Sequence, residues 1–449
     1  MASDLQLLVD RLSVQLGSAT VLEDHEQRTV VYSRQAGPID SVRRDSILHR
    51  ATSPEVMAWF RNFGILEARG PLRIPAYPEM GILARICAPA WYRDRLLGFL
   101  WLIDDGRAGD GEVSEIARAA EHAALVLYEE RLSQRLVVQA LAHLLSPSEA
   151  LRDAAAAQLV DQALLRNDEP TAVVVVQPLP PNNDVSATVV EEALLDVGWE
   201  APTGSLLRLA GPGHGILLVK LASVDDDALA VSMAATARDS LGRRLGERPG
   251  PPARPGPRPG PVPHAVAAVG DPQRDILRAV SSYRQARLAA KVASAIPNLG
   301  TVVRWRDLGA FRALAQLPNR EALESSVDPR VAALLRSGDN AVVSTLETYL
   351  DLGGDAKATA EQLHLHRGTL YYRLDKAQRI SGIDVRNGYD RLAVHLGLKL
   401  ARLAGPNGER APGAGLVPLP SGPAAPIYAH EAAGGDERVS QLPLVADAS

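Results

Sequence analysis

Three short helical segments separated by two tight breaks, over residues 341–383, constrain the fold of this chain more than any other feature. Gly353 and Gly354 end the first segment, because glycine is a poor helix former and a common residue just beyond a helix C-terminus. Asp355 follows as a suitable N-cap for the second segment, ATAEQL. A second break at His364 leads almost directly into the third segment. This spacing predicts a helix-turn-helix.

Apolar residues fall where two such helices would meet. Leu363, Leu365, Leu370 and Leu374 are expected to fill the space between the second and third segments. The small side chain of Ala360 lets the two helices approach closely. The pattern therefore indicates a packed pair of short helices.

The third segment concentrates positive charge in an acidic chain. Residues 364–379 contain four basic side chains, counting Lys and Arg, and one acid, whereas the whole chain has a formal net charge of −5. Gly368, Tyr372, Lys376 and Arg379 are predicted on the side away from the leucines. A solvated helix face is the better interpretation for an isolated surface helix. In a helix-turn-helix, outward basic and aromatic groups favour contact with the DNA major groove.

The predicted DNA contacts divide by position along the third helix. Its first turn is expected to read bases, and its C-terminal half to contact phosphates. The predicted DNA-binding residues are His366, Arg367, Gly368, Thr369, Tyr372, Arg373, Lys376, Arg379, Lys357 and Thr359. Tyr371 is interpreted as a packing or flanking residue.

Two histidines near the turn raise the question of a metal site. No third ligand stands at a suitable spacing from His364 and His366, so turn and cap roles are predicted for both and no metal is expected. His364 falls where such turns often need a positive φ, which His tolerates better than a branched residue does.

Ahead of this segment the chain alternates helix and strand patterns. In the first part, strands are predicted over 19–23, 28–33, 72–76, 84–89 and 96–104, with helices over 5–16 and 111–145. These are assigned to a domain spanning 1–145. Its last helix is expected to pack on the domain and then leave it as a connector.

A second alternating block follows, assigned to a domain over 146–317. TAVVVVQPL (171–179) is typical of a strand buried on both faces. A hairpin is predicted over 205–221, followed by helices over 226–245 and 271–293 with a strand over 264–270 between them. The insert 248–263, almost entirely Pro, Gly and Arg, is predicted to be exposed and polyproline-like.

The remaining chain is assigned to an all-helical domain over 331–404 and a disordered tail over 405–449, which is rich in Gly, Pro and Ala. The fold class expected from the whole pattern is multidomain α+β.

The C-terminal residues resemble a known family. TAEQLHLHRGTLYYRLDKAQRISGID, followed by DRLAVHLGLKLARL, is similar to the DNA-binding domain of PucR/CdaR-type bacterial transcription regulators. WRDLGAFRAL (305–314) resembles the short lead-in to that domain. Gly368 departs from the pattern, because the family usually has Asn there, so a side chain that could read a base is absent.

The resemblance extends to the other two domains. SYRQARLAAKVA (282–293) and the order of strands and helices resemble the degenerate GGDEF-like domain of that family, which implies a central α/β domain without catalysis. LLGFLWLIDDG (96–106) resembles a GAF-type domain, which implies an N-terminal α/β sensor.

Several function classes are disfavoured. No apolar run is long enough to span a bilayer, and the N-terminus does not have the pattern of a signal peptide. The single cysteine, Cys87, cannot form an internal disulfide, and a cytoplasmic location is expected. The hairpin sequence GPGHG (211–215) has no acid to hold the metal ions that phosphoryl transfer requires, so no enzyme activity and no cofactor are expected.

The predicted function is a transcriptional regulator that binds double-stranded DNA and responds to a small-molecule effector or a partner. A homodimer or higher oligomer is expected, because one module is too small for useful specificity. Two alternatives remain open: a nucleotide-processing enzyme of the diguanylate cyclase type, and a sensor or scaffold without DNA binding.

Overall fold

The chain of this computed structural model, described over residues 2–34, 39–49, 51–246, 264–317 and 320–405, divides into two units between Gln139 and Ala140. The predicted polyproline-like insert 248–263 and all but the first residue of the predicted disordered tail lie outside the described residues. The domain boundaries expected from sequence remain predictions.

Over its described residues, the first unit has a five-stranded sheet and four α-helices. They are α1 (Ala2–Leu16), β1 (Thr20–Asp24), β2 (Thr29–Tyr32), α2 (Ser41–His49), α3 (Pro54–Arg61), β3 (Leu72–Ile74), β4 (Arg85–Tyr92), β5 (Arg95–Ile103) and α4 (Asp110–Leu144), whose last residues belong to the second unit. Each strand predicted in this region coincides with an observed strand.

The sheet of the first unit is antiparallel throughout, in the order β2-β1-β5-β4-β3. Apolar residues of α1 and α4 pack on one face, against Leu22, Ile86 and Leu100. On the other face, Phe60 of α3 packs against Trp101 of β5. Helices α2 and α3 were not predicted, because they are only nine and eight residues long and show too few turns for a clear periodicity.

The second unit begins with a second α/β arrangement. Its elements are α5 (Glu149–Asp161), β6 (Thr171–Pro178), α6 (Ala187–Glu200), β7 (Leu206–Gly211), β8 (His214–Lys220), α7 (Ala228–Arg244), β9 (Ala265–Val269), α8 (Ala279–Ala295), β10 (Val302–Arg304) and α9 (Phe311–Leu314). The strand order is β10-β9-β6-β8-β7, with only the β9–β10 pair parallel.

The central strand β6 confirms the prediction of burial on both faces. Val174 and Val176 pack with α6 and α7, whereas the neighbouring Val173 lies on the side of α8, where its N–H donates to Ser282 Oγ over 2.9 Å. The predicted hairpin is also confirmed, because β7 and β8 pair up to Gly211 and His214.

One helix prediction was wrong at its start. The helix expected over 271–293 begins only at Ala279. Gln273 instead forms a bridge to Thr171, with backbone hydrogen bonds of 2.8 and 2.9 Å. A short 3₁₀ turn follows, between Gln273 and the start of α8. A bridge to the first residue of β6 and the 3₁₀ turn therefore replace the first two helical turns that were predicted.

The rest of the described chain is helical, as expected. It contains α10 (Arg320–Ser325), α11 (Pro329–Arg336), α12 (Asn340–Asp351), α13 (Ala356–Gln362), α14 (Arg367–Ser381) and α15 (Gly388–Ala404). Val331, Leu346, Val394 and Leu398 lie in its core.

The described residues contain no helix that is both long and apolar enough to cross a membrane. Across the same residues, no group of three or more His, Cys, Asp or Glu side chains is placed to hold a metal ion.

Candidate DNA-binding site

Side chains cap the helices of the C-terminal domain as the sequence predicts. Gly353 and Gly354 follow α12 with φ values of 69° and 88°, the left-handed conformation that glycine adopts without steric cost. Asp355 caps α13, where its Oδ1 accepts from the N–H groups of Lys357 (2.8 Å) and Ala358 (3.0 Å). The break and the cap are both confirmed.

The turn between α13 and α14 uses both histidines. His364 has φ 51°, as predicted. His366 is the N-cap of α14, and its Nδ1 accepts from the N–H of Gly368 over 3.1 Å. Both residues therefore have the turn and cap roles that the sequence favoured.

The inner face of the helix pair is apolar. Leu370 and Ala377 of α14 are buried, and Leu374 is half-buried against the same core. Thr359 was predicted to contact DNA, and the structure corrects this assignment. Its side chain is fully buried, and its Oγ1 donates to the Asp355 carbonyl over 2.6 Å.

The outer face of α14 presents most of the other predicted DNA-binding residues to solvent. Tyr372 is 59% exposed, and the Arg379 guanidinium lies 6.0 Å from its ring. The other predicted residues that are exposed are His366, Arg367, Gly368, Thr369 and Lys357. They surround the N-terminal end of α14, where a recognition helix usually meets base edges.

Arg367 and Tyr371 form a pair on this surface. Arg367 Nη2 donates to the Tyr371 hydroxyl over 3.4 Å, and its guanidinium lies 5.6 Å from the ring centroid. The hydrogen bond to the Tyr371 hydroxyl raises the pKa of Arg367. Tyr371 is 43% exposed and flanks the helix, which agrees with one of its two predicted roles.

Two predicted phosphate contacts instead bond within the domain. Arg373 Nη1 donates to Thr345 Oγ1 over 3.1 Å, and Lys376 Nζ lies 2.7 Å from Asp339 Oδ2. Asp339 is the N-cap of α12, and its hydrogen bond raises the pKa of Lys376. Both cations are half-buried and turned towards α12.

Sequence reasoning missed an acid on the outer face. Asp375 is exposed, and at 100° per residue it lies about 60° from Tyr372 and about 40° from Arg379 around the helix. A carboxylate there can accept from the amino group of cytosine and repels phosphate. The helical period alone would have predicted this position of Asp375 on the outer face.

An ion network centred on the buried pair Lys399 and Glu347 holds α12 against α15. Lys399 Nζ lies 2.8 Å from both Glu347 Oε1 and Asp351 Oδ2, and Arg402 bonds the same Glu347 carboxylate over 2.5 Å. His395 adds a 2.8 Å contact to Asp351. The network fixes α12, which in turn positions α14 through Arg373 and Lys376. It was not predicted, because its partners are far apart in the sequence.

Comparison with known families covers this same domain. Residues 342–400 match the family described as the PucR C-terminal helix-turn-helix domain. The chain carries a PucR C-terminal helix-turn-helix domain. The resemblance seen in the sequence is thereby confirmed for this part, whereas the GAF-like and GGDEF-like assignments remain proposals.

Two curated relatives are similar over most of their length. The proline-responsive transcriptional activator PutR of Bacillus subtilis (strain 168) is 22% identical over 89% of this chain and 97% of its own. The DNA-binding transcriptional activator AdeR of the same organism is 19% identical over 89% of this chain and 93% of its own.

Among solved structures, the regulator of polyketide synthase expression from Bifidobacterium adolescentis aligns with 60% of this chain and 92% of its own, at 16% identity and a TM-score of 0.29. That score is too low to support an argument about the fold.

Proposed function

We propose that this DNA-binding transcriptional regulator reads its operator with the first turn of α14 and binds phosphates with the residues around it. The observation that carries the proposal is the surface around the N-terminus of α14. There the cations of Arg367 and Lys357 are exposed beside a helix whose opposite face is packed. A short helix with a buried inner face and a basic outer face fits the major groove.

The test is a binding assay with DNA fragments selected by genomic footprinting. The full-length protein is expected to bind such a fragment about 10³-fold or more tightly than random DNA at physiological salt, the lower end for specific regulators. Equal affinity for selected and random DNA would contradict sequence-specific regulation. No binding to either would favour the sensor or scaffold alternative.

The N-terminal unit is proposed as the sensor. Its antiparallel sheet with α1 and α4 on one face supports the GAF-like assignment, and the relative PutR is known as a proline-responsive activator. We infer that this protein also responds to a small molecule.

The central part is proposed as a non-catalytic GGDEF-like domain. Its hairpin turn at Pro212 and Gly213 has no acid in its sequence, and His214 follows at the start of β8. Burial lowers the pKa of His214, so it is a poor cation near neutral pH. Incubation with GTP and Mg²⁺ is the direct test of the enzyme alternative, and formation of a cyclic dinucleotide would overturn this assignment.

A homodimer is proposed as the DNA-binding species. Leu125, Leu132 and Leu136 of α4 are 41%, 47% and 42% exposed, and their spacing places them along one side of the helix. A second copy of this helix would cover the apolar stripe and bring two recognition helices to adjacent half-sites.

A further inference from the structure

Polar and ionisable side chains lie on the face of the first sheet that α1 and α4 leave uncovered. In the antiparallel register, Glu23 is opposite Phe99, and Trp101 is opposite Val21. Paired residues share a face, so Glu23 and Trp101 are diagonal neighbours, about 7 Å apart. The register between β4 and β5 places Arg85 on this same face.

The segment containing α2 adds a second acid and a second arginine. Asp40 Oδ2 bonds Arg85 Nη2 over 2.5 Å, and its Oδ1 accepts from the N–H of Arg43 over 2.7 Å. Arg43 reaches the sheet itself, where its guanidinium donates to the carbonyl of Trp101 over 3.5 Å. All four charged side chains, including Glu23, are less than 10% exposed.

Three buried polar atoms of this cluster have no hydrogen-bond partner among the residues that the structure describes. They are Glu23 Oε2, Gln27 Oε1 and Trp101 Nε1. Glu23 and Gln27 are adjacent, because Thr52 donates to both: its Oγ1 to Glu23 Oε1 (3.0 Å) and its N–H to the Gln27 carbonyl (3.1 Å). An unpartnered buried polar group destabilises the folded state, so three in one place need an explanation.

The unpartnered atoms have complementary chemistry. Two are acceptors, on Glu23 and Gln27, and one is a donor, on Trp101. An ammonium group would satisfy both acceptors, and a carboxylate would accept from the indole N–H and pair with Arg43, whose guanidinium bonds the backbone carbonyl of the same tryptophan. With Glu23 ionised, the cluster contains two carboxylates and two arginines, so a ligand with zero net charge leaves its charge balanced, whereas a dicarboxylate or a diamine does not.

We propose that this face of the N-terminal unit binds a small zwitterion of the α-amino-acid class, with its ammonium at Glu23 and Gln27 and its carboxylate at Trp101 and Arg43. The inference rests on the proposed function in taking this unit as the sensor. Phe60 and Phe99, which lie 4.6 and 6.0 Å from the Trp101 ring, supply an apolar wall for the ligand side chain.

Binding at this site would act on the segment that covers it. Asp40 and Arg43 lie at the start of α2, and Phe60 lies in α3, so a ligand must displace these elements to reach Glu23. A buried site that opens only with movement of two helices links occupancy to conformation, which is what a sensor requires.

The test is calorimetry and thermal melting of the full-length protein with each of the proteinogenic α-amino acids. Each amino acid that binds is compared with its primary amide, which has no carboxylate, and with its N-acetyl derivative, which has no ammonium. At least one amino acid is expected to bind and raise the melting temperature. Both derivatives are expected to bind about tenfold or more weakly, because each lacks one charged hydrogen-bonding group.

Two variants locate the site. Trp101→Phe keeps an aromatic ring and removes the N–H, and Glu23→Gln keeps the shape and removes the charge. Both are expected to weaken binding about tenfold or more. Glu121→Gln is the matched control, because Glu121 is exposed on α4 of the same unit, and it should bind as the wild type does.

The outcomes separate this inference from the proposed function. Failure of every amino acid to bind, or equal binding by the blocked derivatives, would overturn the inference even when the same preparation binds operator DNA. Equal affinity of Trp101→Phe and wild type would place the ligand elsewhere. Amino-acid binding by a protein that binds no DNA would instead contradict the regulator function. If Glu23→Gln does not fold, the Trp101→Phe variant and the derivatives still decide the question.

Discussion

At the residue scale, the positive charge of α14 divides into two groups. Arg367 and Arg379 are exposed on the outer face, whereas Arg373 and Lys376 are turned towards α12. The four side chains look equivalent in sequence, but only the first two are exposed, and their contacts are to tyrosines of α14 itself rather than to α12. This distinction leads to different expectations for their removal.

Replacing Arg367 by Ala is expected to cost about 1–3 kcal/mol on the operator and much less on unrelated DNA, because a base-reading side chain contributes only to specific binding. A competition titration with both DNAs measures the difference. Arg11→Ala, an exposed change on α1, is the control. Equal losses on the two DNAs would show that Arg367 binds phosphate.

Replacing Arg379 by Ala is expected to weaken binding to both DNAs and to lower the salt slope by about one unit, since one phosphate contact is lost. Lys376→Ala should lower the slope less, because its ammonium is already paired with Asp339 over 2.7 Å. Titrations at several salt concentrations give both slopes. A larger effect of Lys376→Ala would mean that the Asp339 pair opens on DNA.

Glu23 gives the stability of the N-terminal unit a pH dependence. Burial raises the pKa of Glu23 from 4.5 to about 7, against the lowering effects of its Thr52 hydrogen bond and of Arg43. The folded protein therefore holds this proton more tightly than the unfolded chain. The free energy of unfolding should fall as the pH rises from about 4.5 to about 7, and stay reduced above that range.

Glu23→Gln is expected to remove this loss, which is on the order of 3 kcal/mol at most. Melting temperatures of wild type and variant, measured below and above this pH range, should converge at low pH and favour the variant at high pH. Glu121→Gln should follow the wild type. A variant that is less stable at every pH would indicate that Glu23 is stabilised as an anion.

At the element scale, α13, the turn and α14 depend on a few backbone positions. The caps at Asp355 and His366 each satisfy N–H groups that would otherwise have no partner. The turn depends on the left-handed conformation of His364. Substitutions that remove a cap or the left-handed turn would change the direction of α14 relative to the rest of the domain.

His364→Val is expected to destabilise the helix pair by about 1–2 kcal/mol, because a branched side chain is strained at φ 51°. His364→Gly tolerates that conformation and is the matched comparison, so it should keep near wild-type stability. Hydrogen exchange of the amides over 356–381 reports the local effect. Equal exchange in the two variants would show that the turn can rearrange.

At the scale of the whole molecule, the proposed dimer depends on the exposed leucines of α4. Leu132→Glu is expected to convert a dimer into a monomer, because it places a charge in an apolar contact. Light scattering measures the mass, and Gln134→Glu, an exposed change on the same helix, is the control. A wild-type protein that is monomeric both free and on DNA would contradict the proposal.

The sequence by itself determined the local features of this protein. The caps, the glycine breaks, the buried strand β6 and the helix-turn-helix could be predicted, because each depends on residues within a few positions of one another. Hydrophobic period and capping chemistry act over that same short range.

Only the tertiary structure decided which polar side chains are buried and what they contact. Lys376 meets Asp339, 37 residues away, and Lys399 meets Glu347, 52 residues away. Thr359 is buried although its position could equally face solvent. The cluster around Glu23 likewise joins β1, β4 and α2, which are separated in the sequence. Burial and ion pairing depend on which elements pack together, and a local pattern does not contain that information.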